Sequence, residues 1–318
     1  MRYVKGHGTG NDFVILPDAD GDLELPAALV RALCHRGTGI GADGVLRVVL
    51  SAAEPAAEQF RGEARWFMDY RNADGSVAEM CGNGIRVFAR YLVDAGYEAA
   101  GTLLIATRAG LRTVEVPPAG DVSVDMGPPE FAPGPVPVTV VGREFAAVPV
   151  SMGNPHAVCF ADDLGPAQLA GLDLRAPVYP AEIFADGVNV EVVVPTPGGV
   201  AMRVFERGVG ETASCGTGAC AVAVAWAARE GGGPPAEVQV DLPGGRLTVG
   251  WDERTVVLRG PAVLVSDGVL RPEWLRLVAG PPGADAAATD PAGTDAAGRE
   301  AAGTEAAPSA AGRAAAGV

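Results

Sequence analysis

The chain has 318 residues and a formal net charge of −15 at pH 7, and its length suits one large domain or two ordinary ones. The negative charge argues against a nucleic-acid-binding surface, because phosphates would be repelled. No apolar run reaches the roughly 18 residues of a membrane span, and the first residues lack the apolar segment of a signal peptide. The five cysteines have no regular spacing, so we expect a reduced, cytoplasmic protein.

The first predicted element is a strand interrupted by a glycine turn, in the sequence YVKGHGTGNDFVIL. It carries Lys5, the only lysine of the chain. A pyridoxal-phosphate enzyme needs a lysine for its Schiff base, so the composition argues against that cofactor. A helix over 26–37 follows, with proline at its beginning and glycine at its end. The sequence ARWFMDYRNADG then predicts a strand that runs into a turn.

Two further helices are predicted, and each begins directly after a cysteine. Apolar residues recur with helical spacing after Cys81, which predicts a helix that ends at Gly96. Residues 219–228, after Cys215, are apolar on every side, so this helix should be buried. The sequences GTLLIATRAGLRTVEV and AEVQVDLPGGRLTVGWDERTVVLRGPAVLV predict β-hairpins. The tail, 280–318, is rich in Ala, Gly and Pro, a composition that predicts disorder.

The two halves of the chain repeat four landmarks in the same order. TGNDFV in the first half resembles MGNPHAV in the second, and ADGV occurs in both. A polar residue, Asn72 or Glu206, lies nine residues before each of the two helix-starting cysteines. The sequence CGNG at 81–84 matches CGTG at 215–218. This order indicates a duplication, with two similar lobes that face a shared cleft.

The two CGxG cysteines lie where exposed backbone N–H groups and the helix dipole stabilise an anion. We therefore expect lowered pKa values for both thiols and a carboxylate site at the helix starts. If the two helices meet end to end, one thiolate can remove the α-proton of a bound amino acid while the other thiol protonates the opposite face. The amide groups would stabilise the enolate charge. The pattern predicts stereoinversion with two bases.

The remaining cysteines are interpreted as small buried apolar residues, and no cluster of Cys and His predicts a metal site. They are Cys34, Cys159 and Cys220. Other polar residues near the repeated motifs leave two interpretations open. The asparagines can form turns or bind a substrate, and His156 can be structural or can tune a thiol. Glu206 and Arg207 can form a surface ion pair, or can hold an ammonium and a carboxylate.

Six segments together resemble the diaminopimelate epimerase family over about residues 1–277. They are GTGNDFV, GTGIGADGV, NADGSVAEMCGNGIRVFARYL, MGNPHAV, ERGVGETASCGTGACAVAVA and VDLPGGRLTV. The resemblance implies an α+β fold with two pseudo-symmetric lobes, each a curved, mostly antiparallel sheet around a central helix. It implies an N-terminal lobe over 1–125 with a returning strand at about 264–277, and a C-terminal lobe over 126–263.

The resemblance also implies an activity and a set of site residues. Members interconvert LL- and meso-diaminopimelate without a cofactor, a step of lysine and peptidoglycan synthesis, and they are often homodimers. Cys81 and Cys215 would be the catalytic bases, and His156 and Glu206 would tune their thiols. The implied substrate-binding residues are Asn11, Asn72, Gly82, Asn83, Asn154, Asn189, Glu206, Arg207, Gly216 and Thr217.

Alternative functions on the same fold differ in their thiols or their substrate. Phenazine-biosynthesis-type isomerases lack the cysteine pair. Proline-racemase-type enzymes also use two thiols, but their compact substrate would not need groups for a second charged end. A non-catalytic amino-acid-binding module or a redox sensor would not exchange an α-proton. Some members of the resembled family have glutamine where this chain has Gly44, so no side-chain role is transferred to that position.

Facing thiols predict sensitivity to oxidation. We expect air oxidation to join Cys81 and Cys215 in a disulfide and abolish activity, and a thiol reductant to restore it. The measurement is activity together with mass spectrometry of the cysteine peptides. An oxidised sample with full activity and two free thiols would contradict the facing arrangement.

Overall fold

The strands of this protein join edge to edge in one sheet. The structure is a computed structural model that describes residues 1–279, and these residues form one compact unit with 18 strands. The predicted disordered tail lies outside the described residues. None of the described helices is long and apolar enough to cross a membrane.

The elements are numbered in chain order. The helices are α1 (Ala27–Cys34), α2 (Gly82–Asp94), α3 (Pro166–Ala170), α4 (Gly216–Arg229) and α5 (Pro272–Ala279), with one 3₁₀ helix at Pro55–Phe60. The strands of the first half are β1 (Arg2–Gly8), β2 (Asn11–Pro17), β3 (Gly44–Leu50), β4 (Trp66–Asn72), β5 (Gly101–Thr107), β6 (Gly110–Val116) and β7 (Val122–Asp125). Those that follow are β8 (Glu130–Phe131), β9 (Val136–Val140), β10 (Arg143–Ser151), β11 (Pro155–Phe160), β12 (Asn189–Thr196), β13 (Gly199–Glu206), β14 (Gly210–Thr212), β15 (Ala236–Leu242), β16 (Gly245–Trp251), β17 (Val256–Gly260) and β18 (Val263–Val269).

Two runs of strands follow the same pairing scheme, which confirms the predicted pseudo-symmetric lobes. In the order β1 to β7, neighbours are antiparallel, parallel, antiparallel, parallel, antiparallel and antiparallel. The order β10, β11, β12, β13, β15, β16, β17 repeats this sequence of pairings. The two runs join where β7 and β17 pair antiparallel. The corresponding helices, α2 and α4, lie between the fourth and fifth strands of their runs.

The last strand pairs with the first. β18 runs antiparallel to β1 and ends at Val269. The strand predicted at about 264–277 is therefore shorter than expected, because helix α5 begins at Pro272. The lobe boundaries given by the sequence stay a prediction.

Both helices that follow the CGxG cysteines form as predicted. Residues 82–89 of α2 are all buried, and so is nearly all of α4, because both helices lie in the cores of curved sheets. By contrast, α1 ends at Cys34, earlier than the sequence predicted. The ring nitrogen Nδ1 of His35 accepts the backbone N–H groups of Gly37 and Thr38, which forms a turn in place of the last helical residues.

Gly44 begins β3 with no room for a side chain. An added Cβ would lie 2.6 Å from Cε2 of Tyr70 and 2.7 Å from the carbonyl oxygen of Arg71. The ring of Tyr70 is buried and therefore occupies the space that a glutamine at this position would need.

We expect Gly44→Ala to lower the free energy of unfolding by about 1–3 kcal/mol, because the methyl group would overpack the contact with Tyr70. Urea denaturation measures this change. Gly250→Ala is the matched control in another strand, since the nearest atom to its added Cβ is 4.0 Å away. Equal stability of the two variants would contradict the assigned packing.

Candidate active site

The two central helices meet at their N-terminal ends. An ideal Cβ on Gly216 would lie 3.4 Å from the Cα of Gly82, and one on Gly82 would lie 3.6 Å from the Cα of Gly216. These distances are ordinary van der Waals contacts, so the first turns of the two helices touch at the two glycines. The amide groups of both first turns therefore face one region, and a cysteine precedes each turn.

Cys81 is the N-cap residue of α2 and is half-buried. Its Sγ accepts a hydrogen bond from the backbone N–H of Gly84 at 3.4 Å. The thiol donates to Oδ1 of Asn11 at 3.6 Å. Asn11 begins β2, and its Nδ2 donates to Oδ2 of Asp43 at 2.9 Å, which orients the amide. The sulfur is thus in contact with the first turn of α2 on one side and with the β1–β2 turn on the other.

Cys215 is the N-cap residue of α4 and is only 6% exposed. Its Sγ lies 3.5 Å from Oγ1 of Thr217. A Cβ on Gly218 would lie 3.3 Å from this sulfur and 2.8 Å from Oε1 of Glu191. The glycine therefore leaves room for a thiol and a buried carboxyl side by side.

The expectation that both thiol pKa values would be lowered is wrong for this structure. Burial raises the pKa of Cys81 to about 11, and it raises the pKa of Cys215 well above the usual value of 9.0. The negative charge of Glu206 raises both pKa values further. The backbone N–H groups of Gly84 and Gly218 act in the predicted direction, but they do not offset the loss of solvation.

Asn83 joins the two lobes at the helix starts. Its Nδ2 donates to the carbonyl oxygen of Ser214 at 3.2 Å and to Oδ1 of Asn11 at 3.3 Å. Its Oδ1 accepts from Nη2 of Arg86 at 2.9 Å and from Oγ1 of Thr9 at 3.2 Å. The side chain is thus fully engaged in a buried network, and the backbone N–H of Asn83 lowers the pKa of Cys81.

A directed chain of hydrogen bonds links a buried carboxyl to Cys215. Nδ2 of Asn154 donates to Oγ1 of Thr217 at 3.3 Å, so its Oδ1 accepts from Nε2 of His156 at 3.1 Å. Nδ1 of His156 lies 2.7 Å from Oε1 of Glu191, and both side chains are fully buried. Since Thr217 accepts from Asn154, its own hydroxyl hydrogen is free to point at the sulfur of Cys215.

Glu206 lies at the end of β13 and faces both cysteines. Its Oε1 accepts from the hydroxyl of Thr212, and the nearby Cys215 thiol lowers the pKa of the carboxyl. Burial raises the pKa of this carboxyl. The position can therefore hold a cation or exchange a proton with the neighbouring thiol.

Arg207 is exposed, and its guanidinium forms no ion pair with any residue of 1–279. Nη1 donates to the carbonyl oxygen of Asp186 at 3.2 Å. The backbone N–H of Arg207 donates to Oδ1 of Asn189 at 2.9 Å, and Nδ2 of Asn189 donates to the carbonyl of Pro155 at 3.1 Å. The surface-ion-pair interpretation does not fit this geometry. Asn189 thus holds the backbone of Arg207 in place.

Asn72 lies apart from these contacts, at the end of β4. It is half-buried, and its Nδ2 donates to Oγ of Ser76 at 2.9 Å in the turn that follows. Its assignment to substrate, like that of the other predicted binding residues, stays a prediction.

Four buried residues of these networks are absent from the sequence-based set. They are Thr9, Arg86, Glu191 and Ser214. Two of them carried a signal that could have identified them, because Arg86 interrupts the apolar run of α2 and Glu191 interrupts the apolar strand β12. A charged residue in such a run is buried with its partners or has a function.

Comparison with known proteins now decides the family. The sequence model described as "Diaminopimelate epimerase" matches residues 3–132 and 148–265. The chain belongs to the diaminopimelate epimerase family. The diaminopimelate epimerase of Streptomyces coelicolor is 55% identical over 286 residues, which are 86% of this chain and 97% of that protein. The Acidothermus cellulolyticus enzyme of that name is 51% identical over 295 residues, 85% of this chain and 96% of the relative.

Solved structures at lower identity share the fold. A phenazine biosynthesis protein of the PhzF family from Bacillus anthracis has a TM-score of 0.62 and 18% identity, over 85% of this chain and 99% of that one. A hydroxyproline epimerase from Agrobacterium vitis has a TM-score of 0.60 and 16% identity, over 84% of this chain and 91% of that one. The resemblance stated from the sequence is confirmed for the family and for the fold.

Proposed function

We propose that this chain interconverts LL- and meso-diaminopimelate by removing and returning the α-proton with Cys81 and Cys215. The observation that carries the proposal is the contact of two helix starts at Gly82 and Gly216, each preceded by one of these cysteines. A carboxylate between the two sets of amide groups would have its α-carbon between two thiols. Family membership supports the substrate, since the relatives bear the name diaminopimelate epimerase.

The proton path follows from this placement. One cysteine, as thiolate, takes the α-proton from one face, and the electron pair of the C–H bond moves into the carboxylate as an enolate. The N–H groups at both helix starts stabilise this charge. The opposite thiol then gives its proton to the other face, which inverts the centre. The enzyme is left with its thiol and thiolate exchanged.

The second amino-acid centre of the substrate explains the charged residues beyond the thiols. The guanidinium of Arg207, which forms no ion pair within residues 1–279, suits a carboxylate bidentately, and Glu206 suits an ammonium. A compact substrate of the proline type would leave Arg207 without a role. Arg207 and Glu206 together therefore favour diaminopimelate over a proline-type substrate.

Proton NMR of LL-diaminopimelate with the reduced protein in D2O tests the function. We expect the α-proton signal to disappear as the meso isomer forms. Unchanged α-protons, with a thiol titration proving both cysteines reduced, would refute the epimerase function. Proline serves as the comparison substrate and should not exchange.

Single substitutions separate the two bases. We expect Cys81→Ala and Cys215→Ala each to reduce kcat for epimerisation by at least about 10³-fold, because one face loses its acid or base. Each variant should still exchange the α-proton of one isomer without inverting it, and the two variants should prefer opposite isomers. NMR in D2O measures both quantities, with Cys159→Ala as a control at a buried cysteine outside the site. The same isomer preference in both variants would contradict the assignment of opposite faces.

We also infer a cytoplasmic homodimer. β18 pairs only with β1 among the described strands, and three of its valines are at least 40% exposed, namely Val263, Val265 and Val269. An apolar edge strand of this kind favours pairing with a second copy. Light scattering on the full chain measures the mass. A monomer at micromolar concentration would refute the dimer.

A further inference from the structure

Arg86 is the largest fully buried side chain among residues 1–279. Its guanidinium forms no ion pair with a carboxylate anywhere in residues 1–279, and its Nε has no hydrogen-bond partner there. Burial lowers the pKa of the guanidinium to about 10, so the group remains a cation at neutral pH. A buried cation without an anion is costly, which calls for a compensating role.

Two glycines lie next to this guanidinium. A Cβ on Gly8 would lie 3.1 Å from Nη2 of Arg86, and one on Gly260 would lie 3.4 Å from the same atom. These glycines come from β1 and β17, so strands of both lobes enclose the charge. An apolar side chain would fill the same space without the loss of solvation, so packing does not explain an arginine here.

All hydrogen bonds of Arg86 go to the cysteine end of α2 or to the network beside it. Nη1 donates to the carbonyl oxygen of Gly82 at 3.0 Å, one residue after Cys81. Nη2 donates to Oδ1 of Asn83 at 2.9 Å and to Oγ1 of Thr9 at 3.4 Å. The cation therefore lies behind the amide groups that would hold the reacting carboxylate.

We propose that Arg86 is the buried countercharge for the Cys81 half of the site, a positioning residue that stabilises the Cys81 thiolate and the enolate without touching the substrate. The inference deepens the proposed function and rests on it. The positive charge of Arg86 lowers the pKa of Cys81, whereas burial and the charge of Glu206 raise it. The phenol of Tyr70 also faces Cys81, and burial keeps it neutral by raising its pKa.

On the opposite half of the site, the charges that act most strongly on Cys215 are negative. Cys215 faces Glu206 and Glu191, whose negative charges raise its pKa, and Glu191 is hydrogen-bonded to His156. The two thiols begin helices of the same polarity, so the helix dipole does not distinguish them. With Arg86 on one side and the two carboxyls on the other, we expect Cys81 to be the more acidic thiol of the pair.

The unmodified enzyme tests this order without any substitution. Iodoacetamide alkylation of the full chain is followed over a range of pH, and peptide mass spectrometry gives separate rates for the two cysteines. We expect Cys81 to gain reactivity at lower pH than Cys215, because the thiolate is the reactive form. The reverse order, or identical curves, would overturn the proposal.

Two substitutions at Arg86 separate charge from shape. Arg86→Met removes the charge and should slow Cys81 alkylation at neutral pH by about tenfold or more, a rise of about one pKa unit or more. Cys215 should change by less than about twofold and serves as the internal control. Arg86→Lys keeps a cation and should recover most of the rate. Arg112→Met is the control at a half-buried arginine of β6, which forms no ion pair within residues 1–279 and donates to the backbone carbonyl of Leu111.

A variant of Glu206 tests the effect of the negative charge that opposes Arg86. Glu206→Gln should speed alkylation of both cysteines, since the charge of Glu206 raises both pKa values. Arg86→Met should act on Cys81 alone. A folded Arg86→Met protein with wild-type Cys81 kinetics, or with equal changes at both cysteines, would overturn the proposal.

Steady-state kinetics gives an independent result. In Arg86→Met we expect kcat to fall in both directions with little change in KM, and part of the loss to be recovered as pH rises and the thiolate fraction increases. A pH-independent loss would overturn the proposal. Alkylation needs no substrate, so the charge of Arg86 can be tested even if the protein does not epimerise diaminopimelate, and the two failures are distinguishable.

Discussion

The contact between the starts of α2 and α4 is the constraint on which the rest of the site depends. Two helix N-termini carry partial positive charge of the same sign, so they repel each other unless the fold holds them together. The pairing of β7 with β17 joins the strands around the two helices. Asn83, at the start of α2, donates a hydrogen bond to the carbonyl oxygen of Ser214, which lies just before α4. The two helix starts touch at Gly82 and Gly216. The positive potential that results is what an anionic substrate group and its enolate would neutralise.

Burial then works against the chemistry that the helix ends favour. It raises the pKa of each thiol because a thiolate loses its hydration, and the amide groups of one turn do not compensate. The protein adds charges asymmetrically around the pair. Arg86 lies on the Cys81 side, while Glu191 and its bond to His156 lie on the Cys215 side. The two lobes have nearly the same backbone, but the charges around Cys81 and Cys215 differ. This difference suits a reaction whose two bases act on opposite faces of the substrate.

The sequence predicted the backbone elements better than it predicted the contacts of single side chains. The helices after Cys81 and Cys215 followed from apolar spacing, and the two lobes followed from the repeated landmarks. The end of α1 did not, because the ring of His35 forms a turn that no propensity encodes. The obstruction at Gly44 depends on Tyr70, which is distant in the chain. The role of Asn189 beside Arg207 also required a partner from another strand.

The sequence by itself determined the duplication, the two thiols at helix starts, the single lysine and the family. These are local or compositional properties, and spacing along the chain encodes them. Only the tertiary structure decided the acidity of the thiols and the identity of the buried groups that adjust it. Solvation and Coulomb energies depend on distances between residues such as Arg86, Thr9 and Glu191, which the fold brings to the helix starts from different strands and turns.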